Sequence, residues 1–193
     1  MSLILASNSQ IRREMLEQAG LNFEVRSPSF DEDEVKRSFD GDSEILARTL
    51  AAGKAASIAA ESGDWVIGSD STVTVEGVRY SKPRDRNEAA VHLRAFSGRT
   101  MLLSSAVALA RRGKVEWVHT ETARLHWRPL SESFIVDYLD AEWPDVSYCV
   151  GVFRMEGRGV TLFDRVDGSH FTILGMPLLP LLGALRDRGI MPS

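Results

Sequence analysis

The sequence contains one cysteine and four histidines, and neither residue type is spaced for metal binding or redox chemistry. Cys149 has no second cysteine with which to form an internal disulfide, which favours a reducing compartment. The histidines show no HxxxH or HxH spacing, so the sequence does not predict a zinc site. We therefore expect a cytoplasmic protein without a zinc centre.

Long hydrophobic runs and an excess of positive charge are also missing. The apolar run Leu3 to Ala6 is too short for a signal peptide, and no segment approaches the roughly 20 apolar residues of a membrane span. With 23 Lys and Arg against 27 Asp and Glu, the net charge of −4 gives no broad basic surface for nucleic acid. We expect neither a membrane nor a nucleic acid as partner.

The 193 residues, 44% of them hydrophobic, suffice for one domain, which we predict to cover residues 1–193. Strands and helices alternate, and Thr100–Arg128 reads as a hairpin with its turn at Arg112 to Lys114, so we predict an α/β fold with a mixed sheet. The other predicted strands are Leu3–Ala6, Asn22–Arg26, Trp65–Ile67, Thr72–Val75 and Val160–Val166. One predicted helix follows Ser9, and the others cover about Ser43–Glu61, Arg86–Phe96, Ser131–Ala141 and Pro177–Arg188.

The segment ASNSQIRRE places hydroxyls and paired arginines where the first strand passes into a helix. Ser9, Arg12 and Arg13 could meet a phosphate there, together with the free backbone N–H groups of the helix start. The alternative is a serine that only caps the helix, beside solvated arginines.

Asp70 follows an apolar strand, and in open α/β sheets the carboxyl ends of strands are where ligands and catalytic groups gather. With a carboxylate from the acidic run Asp31 to Glu34, Asp70 could hold Mg²⁺ or orient a water for attack on phosphorus. The alternatives are a solvated acidic loop and a turn aspartate bonded to its own backbone.

Three further charged residues are candidates whose exposure is the simpler explanation. Lys54 and Lys82 are suited to phosphate oxygens, although spacing does not distinguish them from other lysines. Glu156 lies in a glycine-flanked loop, and its carboxylate could accept hydrogen bonds from the donor edge of a purine base.

Taken together, these motifs resemble the Maf family over nearly the whole chain. ASNSQIRREML at Ala6 to Leu16 corresponds to the family pattern ASxSxxRRxxLL, FDED at Phe30 to Asp33 to its DE pair, and LAAGKA at Leu50 to Ala55 to LAxxKA. VIGSD at Val66 to Asp70 corresponds to the strand-end aspartate of the family, SKP at Ser81 to Pro83 to GKP, and FSGR at Phe96 to Arg99 to SGR.

The resemblance implies a two-lobed fold around a twisted mixed sheet, related to the inosine triphosphate pyrophosphatases, with the nucleotide in a cleft between the lobes. It implies Asp70 as the catalytic proton acceptor and Glu32 as its partner in binding Mg²⁺ or Mn²⁺ or in activating water. The phosphate ligands it implies are Ser9, Arg12, Lys54 and Lys82. The reaction would be hydrolysis of a nucleoside triphosphate to a monophosphate and pyrophosphate, and the protein could be a homodimer.

The loop GVFRMEGRG resembles the branch of the family that acts on 7-methyl-GTP and carries GxFxxEG, rather than the dTTP and UTP branch with GxYxxQG. Phe153 and Glu156 are the discriminating positions, and Ile11 and Ser71, where that branch has other residues, are expected to shape the base pocket. The alternatives are a pyrophosphatase that prefers dTTP or UTP, and a nucleotide-binding regulator of cell division with little turnover.

Overall fold

The computed structural model describes residues 2–61 and 63–192. The strands are β1 (Leu3–Ala6), β2 (Glu24–Val25), β3 (Trp65–Val75), β4 (Val78–Tyr80), β5 (Thr100–Arg111), β6 (Lys114–Trp127) and β7 (Phe163–Asp167). The helices are α1 (Gln10–Gln18), α2 (Glu32–Ser38), α3 (Ser43–Ala56), α4 (Arg86–Phe96), α5 (Glu132–Glu142), α6 (His170–Leu174) and α7 (Leu178–Asp187), and short 3₁₀ turns cover Asp145–Tyr148 and Arg158–Leu162.

The strands form one seven-stranded sheet in the order β2-β1-β3-β5-β6-β7, with β4 paired to β3. The β1 strand is parallel to both β2 and β3, whereas β4 is antiparallel to β3 and β7 is antiparallel to β6. The sheet is therefore mixed, which confirms the predicted fold class.

Two tight turns fix the register of the long strands. Glu76 and Gly77 have φ of 51° and 78° between β3 and β4, and Arg112 and Gly113 have φ of 53° and 70° between β5 and β6. Positive φ at both central residues is the type I′ pattern, whose twist matches that of the flanking strands. The turn predicted at Arg112 to Lys114 is confirmed.

The chain divides into two compact units. Unit 1 comprises Met1–Ser71, Ser104–Glu121 and His170–Ser193, and unit 2 comprises Thr72–Leu103 and Thr122–Ser169. The single domain over residues 1–193 and the nucleotide cleft between two lobes stay predictions.

In unit 1 the alternation of side chains along the strands supplies a core on each face of the sheet. On one face, Leu5, Ile67 and Leu109 pack with Leu16 of α1 and Leu181 of α7. The other face carries smaller side chains against α3; its cluster contains Ile4, Ala6, Ala47, Ala51, Ala55, Val66, Ala106 and Ala108. The alanines allow α3 to lie close to the sheet, which matters for the candidate site below.

An aromatic chain crosses the core of unit 2. Phe96 of α4 lies 4.7 Å from Tyr80 and 5.1 Å from Trp127, measured between ring centroids, and Trp127 lies 4.9 Å from Phe163.

Over the residues that the structure describes, no helix has the length and apolar character needed to cross a membrane.

The acidic run, for which a solvated loop was one interpretation, instead begins a helix. The side chain of Asp31 caps α2 by accepting the N–H of Glu34 at 2.9 Å, and the first turn carries Glu32, Asp33 and Glu34. Negative charge at a helix N-terminus is stabilised by the helix dipole, and Asp-x-x-Glu is a capping signal that the sequence contains.

Other boundaries also differ from the predictions. The β3 strand continues through the polar cluster around Asp70 instead of breaking there, because β1 and β4 pair with its two halves. The α3 helix ends at Ala56 rather than Glu61. The next residue, Ser57, donates hydrogen bonds back to the carbonyl oxygens of Gly53 and Lys54. The α6 helix was not predicted, and β2 and β7 are displaced or shortened.

Candidate active site

Asp70 lies in the middle of β3 with only 8% of its surface exposed. Its Oδ1 accepts the N–H of Ser71 at 2.8 Å, while its Oδ2 is buried and has no hydrogen-bond partner among the residues that the structure describes. A buried carboxylate oxygen without a donor is unusual, because leaving one unsatisfied costs free energy. Asp70 thus keeps a lone pair available at a protected position.

Lys54 reaches Asp70 because α3 crosses β3 in very close contact at Gly68. A Cβ at Gly68 would lie 2.2 Å from the carbonyl oxygen of Ala51 and 2.5 Å from the backbone nitrogen of Ala55. Lys54 is on this buried face of α3 with 6% exposure, and its Nζ is 3.4 Å from Asp70 Oδ2. The contact is ionic but does not have the geometry of a hydrogen bond, which explains why Oδ2 stays without a partner.

Glu32 comes to the same lysine from α2. Its Oε1 lies 2.8 Å from Lys54 Nζ, and its Oε2 lies 3.1 Å from Lys36 Nζ. The segment before α2 is held against α3 by Phe30, whose ring occupies the space over Gly53, since a Cβ there would lie 2.3 Å from the ring. Gly53 and Gly68 therefore let one short stretch of α3 bring Glu32, Lys54 and Asp70 together.

The charges of this cluster shift two pKa values. Burial by itself raises the pKa of Glu32, but the hydrogen bonds and charges of Lys54 and Lys36 outweigh it and hold the pKa below its ordinary value. Burial lowers the pKa of the Arg12 guanidinium, against the opposing effect of Asp70 and Glu32. Glu32 is thus an anion at neutral pH, paired with Lys54 and Lys36.

Arg12 is buried and its donors are engaged within the protein. Nε donates to the carbonyl oxygen of Gly175 at 2.9 Å and Nη1 to that of Ser69 at 2.9 Å, with Ser7 Oγ at 3.4 Å. Nη2 donates to Ser71 Oγ at 3.2 Å and lies 4.0 Å from Asp70 Oδ1. In this arrangement Arg12 binds the backbone carbonyl before Asp70 and the Ser71 hydroxyl after it, and a phosphate would have to compete for its N–H groups.

Ser69 and Ser105, which were not identified from the sequence, complete this support together with Ser71, which was expected in the base pocket. Ser69 Oγ lies 2.8 Å from the carbonyl oxygen of Ala106 and 3.0 Å from that of Gly175. Ser71 and Ser105 share a hydrogen bond of 2.8 Å between their hydroxyls, and Ser105 Oγ donates to the carbonyl oxygen of Thr172 at 2.7 Å. Only the polar character of these residues within otherwise apolar strands could have signalled them.

The other predicted residues at the start of α1 have different surroundings. Ser9 is the N-cap residue, half-buried, and its side chain makes no capping hydrogen bond. Arg13 is on the exposed face and forms an ion pair with Glu17 at 3.8 Å, so it is not part of the Asp70 cluster. Ile11 is half-buried. Their roles toward a nucleotide stay predictions.

With the site described, the chain can be compared with known proteins. A family model described as "Maf-like protein" matches residues 2–188. The chain belongs to the Maf family. A 7-methyl-GTP pyrophosphatase of Rhizobium meliloti is 44% identical over 195 residues, covering 99% of this chain and 98% of the relative. A nucleoside triphosphate pyrophosphatase of Nitrobacter hamburgensis is 45% identical over 192 residues, covering 98% and 95%.

Solved structures add little to this family assignment. The Ham1 protein of Staphylococcus aureus aligns with 98% of this chain and 100% of its own at 15% identity, with a TM-score of 0.46.

In this member of the Maf family, Lys82 and Glu156 belong to unit 2, so their meeting with the Asp70 cluster stays a prediction. Both are exposed, and both act on the thiol of Cys149. Burial, with a smaller contribution from the charge of Glu156 and against the opposing charge of Lys82, raises the pKa of that thiol to about 11. The lysine and the glutamate therefore lie near the same part of unit 2.

Phe153, the other discriminating position of the GVFRMEGRG loop, is a core residue. It is 6% exposed, and its ring lies 5.0 Å from Phe163 and 6.2 Å from Trp127. Phe153 anchors the loop in the aromatic core, which leaves Glu156 as the exposed member of the pair.

The carboxylates of Asp70 and Glu32 fit a divalent cation. Among the described residues, no group of three or more His, Cys, Asp and Glu side chains gathers as a ligand set. Two carboxylates with an unpartnered oxygen on Asp70 are nevertheless the donor type that Mg²⁺ prefers, because it retains several waters and takes further oxygens from the substrate's phosphates. That Asp70 and Glu32 hold Mg²⁺ or Mn²⁺ stays a prediction.

Proposed function

We propose that this protein hydrolyses a nucleoside triphosphate to a nucleoside monophosphate and pyrophosphate, with a guanine nucleotide, 7-methyl-GTP above all, as the preferred substrate. The observation that carries the proposal is the buried Asp70 carboxylate, whose Oδ2 has no hydrogen-bond partner and lies 3.4 Å from Lys54 Nζ. Binding alone does not need a carboxylate facing a polyanion, since like charges repel.

In this mechanism Asp70 is the general base. A water between Asp70 Oδ2 and the α-phosphorus gives its proton to the carboxylate and its oxygen to phosphorus, and the bond to the bridging oxygen breaks so that pyrophosphate leaves. Arg12 and Ser71 hold the strand on which Asp70 lies. The base is therefore fixed before the substrate arrives, which reduces the cost of reaching the transition state.

Lys54 stabilises the charge that develops on the phosphate oxygens. An ammonium group has three N–H donors, and Glu32 takes one of them while Asp70 makes only an ionic contact, so Lys54 can donate to a phosphate oxygen. Glu32 and Asp70 would hold Mg²⁺ or Mn²⁺, which when bound offsets the negative charge of the triphosphate. Ser9 and Lys82 are proposed as further phosphate ligands.

Base selection is assigned to Glu156. The carboxylate of Glu156 is exposed, while Phe153 of the same loop is fixed in the core. Such a carboxylate can accept hydrogen bonds from guanine N1–H and the exocyclic amine. The name of the Rhizobium meliloti relative supports a 7-methylated guanine nucleotide. Ile11 and Ser71 are proposed to contribute to base selection as well.

The test is pyrophosphate release from m7GTP, GTP, UTP, dTTP and CTP, measured with Mg²⁺ and with Mn²⁺. We expect release to need the metal and to be fastest for m7GTP. Faster release from dTTP or UTP would overturn the substrate assignment while keeping the reaction. Tight binding of nucleotides without turnover would overturn the reaction and favour a nucleotide-binding regulator.

A further inference from the structure

The loop that carries Glu156 is fixed to unit 2 by several contacts that do not involve Glu156 itself. Tyr138 of α5 donates its hydroxyl hydrogen to the carbonyl oxygen of Val152 at 3.0 Å. Val152 has a φ of 56°, which is costly for a β-branched residue and persists only where the surroundings hold it. The buried ring of Phe153 follows directly. The beginning of the loop is thus anchored in the core.

The end of the loop is anchored as well. The backbone is so close at Gly159 that a Cβ there would lie 2.3 Å from the carbonyl oxygen of Arg154. The hydroxyl of Thr161 donates to the carbonyl oxygen of Arg158 at 2.7 Å. The backbone path of the loop therefore does not depend on any one charged side chain.

Glu142, the last residue of α5, lies under this loop and is 7% exposed. Its Oε1 accepts the backbone N–H of Arg158 at 3.3 Å, and its Oε2 lies 3.3 Å from Arg154 Nη2. A buried carboxylate needs such partners, because an unpaired charge in the interior is costly. Glu142 uses one oxygen for the loop backbone and the other for the Arg154 guanidinium.

Arg154 is thereby held by carboxylates other than Glu156. Besides Glu142, Asp145 lies 3.0 Å from Arg154 Nη1. Burial lowers the pKa of the Arg154 guanidinium, but the hydrogen bond to Glu142 and the charges of Asp145 and Glu156 outweigh it and raise the pKa. Arg154 thus feels the charge of Glu156, two residues later, but its planar fork is directed to Glu142 and Asp145.

We propose that Glu142 is a positioning residue for base selection: it restrains the Arg154 guanidinium and so keeps the Glu156 carboxylate unpaired and available to the substrate base. The inference rests on the proposed role of Glu156. Without this restraint the Arg154 side chain, on its flexible stem, would reach the nearby Glu156 and occupy the oxygens that should accept guanine N–H groups. Discrimination between guanine and uracil would then fall, although neither residue need touch the base.

Glu142→Gln separates this role from a structural one. The amide oxygen of glutamine can still accept the N–H of Arg158, but its NH₂ group then faces Arg154 as a second donor, so that only Asp145 still restrains the guanidinium. We expect the preference for GTP over UTP, as a ratio of kcat/KM values, to fall by about tenfold, the size of one charge-assisted hydrogen bond. The kcat for UTP should stay close to that of the wild type.

Two further variants make the test specific. Glu142→Gln combined with Arg154→Gln removes the competing cation, and we expect the preference to return to within about threefold of the wild type, inside the scatter of such couplings. Glu132→Gln is the matched control, since Glu132 begins the same helix and pairs with Arg94 at 2.8 Å on the surface. It should leave the preference unchanged.

The measurement uses hydrolysis of GTP and UTP and, in parallel, dissociation constants for the α,β-methylene analogues of both nucleotides. If the wild type binds the GTP analogue in preference but releases no pyrophosphate, the proposed reaction fails while the positioning role is still decided by binding. The positioning role is overturned by an unchanged preference in Glu142→Gln, by a double variant no better than the single one, or by a wild type without preference. If Glu142→Gln does not fold, Glu142→Asp takes its place, with an expected fall of about threefold for a lengthened, weaker hydrogen bond.

Discussion

Arg12 Nε donates a 2.9 Å hydrogen bond to the carbonyl oxygen of Gly175, a residue 163 positions later in the chain. The same guanidinium reaches the carbonyl oxygen of Ser69 and so joins three distant segments of unit 1 beside Asp70. A buried cation with these partners is costly to remove, because its acceptors are left without donors. Arg12 therefore has a structural role that the sequence motif did not reveal.

Arg12→Ala should lower the free energy of unfolding by about 3 kcal/mol or more, as removal of one partner from a buried polar network does. Arg13→Ala is the matched control, because Arg13 is exposed and only pairs with Glu17. Its effect should stay within about 0.5 kcal/mol. Urea denaturation measures both. An Arg12→Ala variant of normal stability that binds nucleotides weakly would instead make Arg12 chiefly a phosphate ligand.

Asp70→Asn should abolish hydrolysis while nucleotide binding survives, because the amide keeps the size of the side chain but cannot accept the proton. Asp64→Asn is a suitable control, since Asp64 is also buried, lies just before β3 and binds the N–H of Ser2 at 2.8 Å. Single-turnover pyrophosphate release is the measurement. An Asp70→Asn variant that keeps more than about a tenth of the wild-type rate, a barrier change below roughly 1.4 kcal/mol, would identify another residue as the base.

The lowered pKa of Glu32 predicts how its contribution to stability depends on pH. The folded-state pKa is below the unfolded value of about 4.3, so the contribution is fully present above that value and is lost as the pH falls through the folded-state pKa. The stability difference between the wild type and Glu32→Gln should therefore be largest near pH 7 and disappear in acid. Urea denaturation at pH 7 and near pH 3 tests this.

Glu34→Gln is the control for that pH series, because Glu34 shares the first turn of α2 and its favourable helix dipole but is exposed. Its effect on stability should be small at every pH. A difference between wild type and Glu32→Gln that grows in acid would mean that the ion pair with Lys54 does not stabilise the folded state.

Two glycine substitutions should have opposite effects on stability, because α3 packs closely on β3 at Gly68 whereas the space around Gly183 of α7 is open. Gly68→Ala places a Cβ only 2.2 Å from the carbonyl oxygen of Ala51. It should therefore cost roughly 1–3 kcal/mol or more of stability, and it should reduce turnover because it displaces Lys54. Gly183→Ala in α7 meets nothing within 4 Å and should stabilise the protein by about 0.5–1 kcal/mol, since alanine favours a helix interior. Thermal unfolding and pyrophosphate release on both variants decide the matter. Equal effects would mean that the contact at Gly68 relaxes easily.

The parts of the site that depend on local pattern could be predicted from the sequence. Asp70 follows an apolar run that is the natural interior of a strand, so it was expected at the sheet, whereas spacing did not distinguish Lys54 from an exposed lysine. The fold class and the β5–β6 hairpin follow from the same periodicities. Glu32 was identified in a correct motif but in the wrong element, because a run of acidic residues is typical of loops unless the capping pattern of Asp31 and Glu34 is considered.

The parts that depend on long-range contacts could not be predicted. Nothing near Arg12 in the sequence indicates that Ser69 and Gly175 would take its donors, and nothing near Glu142 indicates that it would receive Arg154 and the N–H of Arg158. Such partners are chosen by tertiary packing, which propensity and spacing do not encode.

Glu156→Gln tests the assignment of the base reader. A carboxylate that accepts two guanine N–H groups forms charge-assisted hydrogen bonds, and replacing one oxygen by an NH₂ donor turns one of these attractions into a clash of donors. Because Glu156 is exposed before the substrate covers it, we expect the lower part of the usual range, a loss of about tenfold in kcat/KM for GTP and m7GTP. The kcat/KM for UTP should change little, since uracil offers no such pair of donors on that edge.

Glu76→Gln serves as a control, because Glu76 is an exposed glutamate of the same unit that pairs with Arg99 at 2.9 Å. Kinetic constants for the three nucleotides on both variants are the measurement. A Glu156→Gln variant that loses the same factor for all three would place Glu156 among the residues that support catalysis or structure, and the preference for guanine would need another source.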